Sequence, residues 1–194
     1  MKSHSSHDRL PPEHKCAPSA EDRQGWGGNH SCVVPSQTPI SELMLLEAIV
    51  PNKWVDYNGH MTEYRYLQVL GETTDALLRL IGADLDYVAK GHSYYTVETH
   101  IRHLREAKAG DSIQASCQLL AADEKRLHVL HTMIDTATRQ TLATGEHLLL
   151  HVDMAGGKAC SAKPHILEKV RELTEVHRAL PWPAGAGRHV AQKS

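Results

Sequence analysis

Phenylalanine is absent from this chain, and aromatic residues make up only 5% of its 194 residues. All six tyrosines fall between Tyr57 and Tyr95. One interpretation is that leucine and methionine fill the core in place of phenylalanine. The other is that the aromatic side chains gather around a pocket, although aromatic clusters are more often plain packing.

Cysteine is scarce as well, and Cys16, Cys32, Cys117 and Cys160 form no CxxC pair. Such spacing predicts neither a disulfide framework nor a structural zinc site. Histidines are more frequent, but none forms an HxxxH or HExxH motif on a predicted helix. The strand histidines at 100 and 103, and at 128 and 131, fall on opposite faces because side chains alternate. We therefore expect no metal and no cofactor.

No sign of charge dominates, since 21 basic and 23 acidic residues leave a formal net charge of −2. Neither nucleic acid nor an anionic membrane is implied as a partner. The longest apolar run is about four residues, too short to span a membrane. The N-terminus lacks the apolar core, roughly 7–15 residues long, of a secretory signal. We expect a cytoplasmic protein.

Composition divides the chain into three parts. Residues 1–40 are rich in Ser, His, Pro, Gly and charge, which is typical of a disordered tail. Residues 41–155 carry the periodic patterns of one folded domain. Residues 156–194 form a C-terminal extension in which 164–180 predicts an exposed helix.

The domain is predicted to contain one long helix and an antiparallel sheet. The helix, Thr62–Ile81, carries Leu67, Leu70 and Leu77 on one face and ends at Gly82. Alternation along one strand places Tyr95, Val97 and Thr99 on a common face with Ile101 and His103. The predicted strands are Ser41–Val50, Ser93–Leu104, Ser112–Leu120, Leu127–Ile134 and Thr141–Val152. A helix laid against such a sheet is an α+β fold, and the order alone fits several of them.

The segment Val55–Leu67, with the sequence VDYNGHMTEYRYL, carries the strongest chemical signal. Asp56, Asn58 and His60 occupy every second position of a glycine-containing turn that leads into the helix. Free amides and the helix dipole at such a start favour negative charge. We expect the amides of residues 60–62 to form an oxyanion hole beside a carboxylate.

This segment resembles the entry to the long helix of hot-dog-fold thioesterases. The stretches MTEYRYLQVLGETTDALLRLIG, GHSYYTVETHIRHL and DEKRLHVLH are similar to the thioesterase found beside, or fused to, L-carnitine dehydrogenase. That branch is taken to hydrolyse betainyl-CoA. The resemblance covers roughly residues 43–153 and implies a sheet wrapped around one central helix. It also implies a homodimer or homotetramer, with L-carnitine dehydrogenase as a pathway neighbour.

The resemblance assigns catalysis to the turn. Asp56 is expected to act as nucleophile or general base toward a thioester carbonyl, although an aspartate in a turn is often only structural. Asn58 and His60 would orient the reacting groups, or serve only as turn and cap residues. Glu98, a charged residue in mid-strand, is the second candidate carboxylate, and its alternative is a salt bridge to Arg102 or Arg105.

Substrate contacts are expected around the same turn. Gly59 would permit positive φ or close approach of substrate, and Met61 and Thr62 would contact it. Two or three aromatic residues would receive a trimethylammonium group if the substrate is betainyl-CoA. The candidates are Trp54, Tyr57, Tyr64, Tyr94 and Tyr95, whereas Tyr66 is expected to face the core. Lys125 or Arg126 could hold a CoA phosphate or simply be solvated in their turn.

Three functions remain open at this stage. The first is hydrolysis of betainyl-CoA in carnitine degradation, with CoA as part of the substrate. The second is hydrolysis of another short acyl-CoA or of an acyl carrier protein thioester. The third belongs to another class, a non-catalytic acyl-CoA sensor or scaffold.

Overall fold

The computed structural model describes residues 43–190, so the predicted tail at 1–40 lies outside the described residues. The elements follow the predicted order, with a short helix and a short strand added. They are β1 (Leu43–Ile49), α1 (Glu63–Leu80), α2 (Leu85–Ala89), β2 (His92–His103), β3 (Ser112–Ala122), β4 (Arg126–Asp135), β5 (Thr141–Asp153), β6 (Lys158–Ala159) and α3 (Pro164–Arg178).

The strands form one antiparallel sheet in the order β1-β3-β4-β5-β2, with β6 beside β5. The predicted meander is confirmed, because β3, β4 and β5 are neighbours joined by short turns. Helix α1 crosses one face and contacts β1, β3, β4 and β5. This is the hot-dog arrangement that the family resemblance implied. Strand β2, which follows α1 and α2 in the chain, lies at one edge of the sheet.

Helix α1 has one buried face, which is the predicted face except at Leu67. Tyr66, Val69, Leu70 and Leu77 are buried, whereas Leu67 is 46% exposed. The prediction that Leu67 shares the face of Leu70 and Leu77 is therefore wrong, whereas Tyr66 faces the core as expected. Gly82 ends the helix with φ +89°, a conformation that glycine adopts without steric cost.

The core divides into two clusters along the sheet. The first contains Tyr87 and Tyr94, together with Leu127 and Leu149. The second contains Trp54, Met61 and Tyr66 with Ile113, Met133 and their neighbours. The tyrosines that are clustered in sequence are therefore split between two cores, and within one chain they do not gather around a single pocket.

A β-bulge in β2 changes which of its residues face α1. The pairing with β5 shifts between Thr96 and Glu98, so Val97 is the extra residue. Before the bulge Tyr94 and Thr96 lie on the sheet face that is turned toward α1. After the bulge Thr99 lies on that face. The predicted common face of Tyr95 with Thr99 is therefore wrong, because a bulge shifts the two-residue period by one.

Helix α3 packs against the domain through one face. Ile166 and Val170 are buried in the first core cluster, so the predicted exposed helix is wrong for this face. Further along, Pro181 accepts a hydrogen bond through its carbonyl oxygen from Gln118 at 3.2 Å. Within residues 43–190 no helix is long and apolar enough to cross a membrane.

Candidate functional site

The D-x-N-G-H segment folds into a tight hairpin between the first strand and α1. Val55 and Met61 form an antiparallel bridge across it, and the Asp56 amide donates to the His60 carbonyl at 2.9 Å. The Gly59 amide donates to the Asp56 carbonyl at 3.0 Å, and Gly59 has φ +77°. A residue with a side chain would be strained at this φ, so glycine is required for the turn itself. The expected role of Gly59 in positive φ is confirmed.

The Asp56 carboxylate is held by amide donors of its own turn. The Asn58 backbone amide donates to Oδ1 at 2.8 Å, and the His60 amide donates to the same oxygen at 3.4 Å. The Asn58 side-chain amide donates to Oδ2 at 3.3 Å. Three donors therefore fix the orientation of this carboxylate, and Asn58 supplies two of them.

These contacts keep Asp56 ionised. Partial desolvation acts to raise the pKa of Asp56, but hydrogen bonds from Asn58 and His60 and the electrostatic influence of His60 outweigh it. The net pKa is below its ordinary value. At neutral pH the group is a carboxylate, the form that a nucleophile or a general base needs.

The amides expected to form an oxyanion hole are already occupied. The His60 amide donates to Asp56, the Met61 amide donates to the Ala107 carbonyl at 2.7 Å, and the Thr62 amide donates to the Trp54 carbonyl at 2.9 Å. The prediction for residues 60–62 is therefore wrong, because the hairpin and its bridge to the β2–β3 loop use these donors. The helix begins at Glu63, so the first helical amides are those of Glu63 and Tyr64.

Two of the aromatic candidates already hold a cation of this chain. The Arg65 guanidinium carbon lies 5.5 Å from the Trp54 ring centroid and 4.8 Å from the Tyr64 ring centroid. The Arg65 side chain also donates to Gln68 Oε1 at 2.5 Å. One face of Trp54 and one face of Tyr64 are therefore occupied by Arg65, while 60% of Tyr64 is exposed.

The other predicted substrate contacts are scattered in one chain. Met61 and Tyr94 are buried in different core clusters, at 4% and 5% exposure, so neither presents a free surface to substrate. Tyr57, next to Asp56, is 97% exposed, and Tyr95 is 49% exposed. Thr62 donates through its hydroxyl to the Trp54 carbonyl at 3.2 Å and so supports the hairpin. Tyr66 is buried, as predicted.

Glu98 lies away from Asp56, on the sheet face opposite α1. It is paired with Leu148 of β5. The residues on either side of Leu148, which are His147 and Leu149, face the helix, so Leu148 and Glu98 face the other way. Among residues 43–190 no ion pair joins Glu98 to Arg102 or Arg105, so the salt-bridge alternative is wrong. Glu98 instead lines a groove of about 540 Å³. The groove also contains Asp123, Arg126, His128 and Glu146.

Charged groups in this groove are largely paired with one another. Arg126 forms an ion pair with Asp123 at 2.6 Å, and His128 lies 2.6 Å from Glu146. The second oxygen of Glu146 accepts from the Gly187 amide at 2.8 Å. Arg126, a candidate for holding a CoA phosphate, is therefore engaged by its own turn.

Sequence reasoning missed a polar layer beneath α1. His131 Nε2 lies 2.8 Å from the Thr74 hydroxyl, and the His131 and His147 rings lie 5.0 Å apart. Burial, followed by the nearby His147, lowers the pKa of His131 to about 3, and burial lowers that of His147 to about 4. The alternation of β4 and β5 placed both side chains on one face, which was the available signal. In residues 43–190 no group of histidine, cysteine or carboxylate side chains is arranged to hold a metal.

Comparison with known proteins identifies relatives of this chain and of its fold. Residues 50–170 match the family described as Thioesterase-like superfamily. The chain is 54% identical over 154 residues to L-carnitine dehydrogenase/betainyl-CoA thioesterase of Rhizobium sp., which covers 79% of this chain and 31% of that longer protein. It is 42% identical over 147 residues to betainyl-CoA thioesterase of Pseudomonas aeruginosa, which covers 75% of this chain and 92% of that protein. A solved structure of a candidate thioesterase from Pseudomonas putida KT2440 is 32% identical with a TM-score of 0.69, covering 79% of this chain and 99% of that one.

Proposed function

The chain belongs to the thioesterase-like superfamily, and from this premise we propose that it hydrolyses a short acyl-CoA at Asp56, with betainyl-CoA as the substrate. The observation that carries the proposal is the Asp56 carboxylate, which is ionised and oriented by three amide donors in an accessible turn. The substrate follows from the relatives, since five of them at 42–54% identity have betainyl-CoA thioesterase in their names.

The reaction adds water to the thioester carbonyl. In one route Asp56 takes a proton from a water molecule while the oxygen of that water attacks the carbonyl carbon. The carbon–sulfur bond then breaks, and the leaving thiolate is protonated. In the other route the carboxylate itself attacks, and water opens the resulting mixed anhydride. Both routes release the carboxylic acid and free CoA. An acyl adduct on Asp56, sought by acid quench and mass spectrometry, indicates the second route.

The negative charge that develops on the thioester oxygen needs donors that are not already used. Because the amides of residues 60–62 are occupied, we assign this role to the first-turn amides of Glu63 and Tyr64. These groups have no acceptor within the helix, and they lie at its positive end. A helix start beside the hairpin thus supplies the electrostatic stabilisation that hydrolysis requires.

We also propose that two or four copies of the chain assemble through β2. This strand is 12 residues long and lies at the edge of the sheet, with Tyr95 and Val97 49% and 53% exposed. A long edge with exposed apolar side chains is a ready template for pairing with another strand. Glu98 could then serve a site only through a partner chain, and sedimentation of wild type and of a Val97→Lys variant tests the assembly.

The biological setting is proposed from the fused relatives. Four of them, including those of Rhizobium and Agrobacterium, join L-carnitine dehydrogenase and betainyl-CoA thioesterase in one name. We therefore place this chain in carnitine degradation in the cytoplasm, with a dehydrogenase as its pathway neighbour.

A free-thiol release assay tests the activity. The protein is incubated with betainyl-CoA, acetyl-CoA, butanoyl-CoA and an acyl carrier protein thioester, and free thiol is measured over time. We expect the highest kcat/KM with betainyl-CoA. Absence of thiol release from every thioester, with CoA binding intact, would instead support a non-catalytic acyl-CoA sensor.

A further inference from the structure

The cation of the proposed substrate must lie beside the catalytic carboxylate, because the acyl group is so short. One methylene separates the quaternary nitrogen from the carbonyl carbon, so the two atoms are about 2.5 Å apart, as the nitrogen and carbonyl carbon of an amino acid are. The attacking oxygen must approach that carbon to about 3–3.5 Å. When the carboxylate itself attacks, Asp56 and the trimethylammonium group are therefore near neighbours, and when it activates water one water molecule lies between Asp56 and the carbonyl carbon.

Within residues 43–190 the negative charge of Asp56 is in no ion pair, although His60 influences it electrostatically. Its oxygens accept hydrogen bonds from amides of Asn58 and His60, which are neutral donors. None of the ion pairs formed among residues 43–190 includes Asp56. The donors fix the direction of the carboxylate and leave its charge available to a ligand.

The aromatic alternative is weakened by Arg65. A trimethylammonium group binds by lying over an aromatic face. One face of Trp54 and one face of Tyr64 already have the Arg65 guanidinium over them, at 5.5 and 4.8 Å from the ring centroids. A second cation there would have to displace Arg65 or lie beside a like charge, which is unfavourable.

We infer that Asp56 selects the cationic acyl group as well as hydrolysing its thioester, so that the carboxylate, rather than the Trp54–Tyr64 pair, recognises the quaternary ammonium. This inference rests on the proposed function. It assigns substrate specificity to the same oxygen atoms that activate water. An uncharged acyl group of identical shape would bind without this attraction.

Two CoA analogues test the inference by binding alone. Both are ketones in which an extra methylene separates sulfur from the carbonyl, so neither can be hydrolysed as a thioester. One ends in trimethylammonium and the other in tert-butyl, which has the same shape and no charge. Dissociation constants are measured by calorimetry for wild type, Asp56→Asn, Asp56→Glu and Tyr64→Leu.

We expect wild type to prefer the cationic analogue by roughly fivefold, which is what an exposed ion pair can supply. Asp56→Asn should bind the two analogues equally, and Asp56→Glu should keep most of the preference for the cationic one. Tyr64→Leu should leave that preference unchanged. A ratio that survives in Asp56→Asn, or that is lost in Tyr64→Leu, overturns the inference.

Wild type alone gives a second measurement that does not depend on how any variant folds. Salt screens exposed charges, so the preference for the cationic analogue should shrink between low and high ionic strength. A preference that is insensitive to salt also overturns the inference. Failure of the proposed function is a different result, namely no thiol release from any thioester.

Discussion

Asn58 holds Asp56 with two separate donors, its backbone amide at 2.8 Å from Oδ1 and its side-chain amide at 3.3 Å from Oδ2. The backbone donor makes the turn, and any residue at 58 could supply it. The side-chain donor is specific to asparagine, and it helps only to orient the carboxylate and to favour its ionised form. The two contributions can therefore be separated by mutation.

Asp56→Asn is expected to lower kcat at least about a hundredfold, because it removes the group that activates water or attacks the thioester. The fold should remain, since an asparagine oxygen can still accept the turn amides. Thiol release at saturating substrate measures the effect, and thermal unfolding checks the fold.

Asp135→Asn is a matched control for that substitution. Asp135 also accepts two backbone amides of its own turn, from Ala137 at 2.7 Å and Thr138 at 2.9 Å. Its turn joins β4 and β5, and both donors belong to that turn rather than to the hairpin. Equal losses of activity in the two variants would show that the effect of Asp56→Asn is structural rather than catalytic.

Asn58→Ala should change the pH profile rather than abolish activity. Loss of the side-chain donor raises the Asp56 pKa toward its ordinary value, since that contact helps to lower it. The carboxylate is the active form, so the decline of kcat/KM on acidification should begin at a higher pH. Asn52→Ala, which replaces another exposed asparagine of the same connection, should leave the profile where it is.

Gly145→Ala is expected to destabilise the fold by about 1–3 kcal/mol, because an added methyl overpacks the core. A Cβ at Gly145 would lie 2.6 Å from Leu70 Cδ1 and 2.9 Å from His147 Nε2. Gly71→Ala is the control, since a Cβ there meets nothing within 4 Å in the middle of α1. That variant should gain about 0.5–1 kcal/mol from helix propensity. The free energy of unfolding in urea measures both, and a Gly145→Ala protein as stable as wild type would contradict the close packing.

The order of elements could be predicted because periodicity is a local property. Apolar residues recurring along α1, and alternation along β3 to β5, determined the α+β fold before any contact was known. The chemistry of the turn was also local, since Asp56, Asn58 and Gly59 lie within four positions. The sequence therefore predicted the turn and the positive φ of Gly59, and it offered Asn58 as an orienting group.

The errors came from features that depend on several segments at once. The bulge at Val97 is a mismatch between β2 and β5, and nothing in β2 alone announces it. The Met61 amide is occupied by the Ala107 carbonyl, which belongs to a distant segment of the chain. The Thr62 amide is occupied by the Trp54 carbonyl on the other side of the turn. The stacking of Arg65 on Trp54 likewise depends on how the hairpin returns to the helix. Each error concerned which partner a group finds, and a single sequence contains little of that information.

The buried histidines should make the fold sensitive to mild acid. Burial lowers the pKa of His147 to about 4, whereas an unfolded histidine titrates near 6.5. Between these values the unfolded state binds a proton that the folded state excludes, so stability falls as pH falls through this window. Each such histidine removes up to about 1.4 kcal/mol per pH unit, and His131 acts in the same direction.

Urea unfolding at a series of pH values from 7 to 5 measures this slope. His147→Leu should flatten it by up to about 1.4 kcal/mol per unit, because the proton linked to His147 is removed, whereas His131 and His151, whose pKa values are also lowered by burial, still contribute. Replacing the exposed His165 with glutamine should leave the slope as in wild type. A wild-type protein whose unfolding free energy is constant over this range would show that the His131–His147 layer is not buried in its neutral form, and the packing of α1 on the sheet would then need revision.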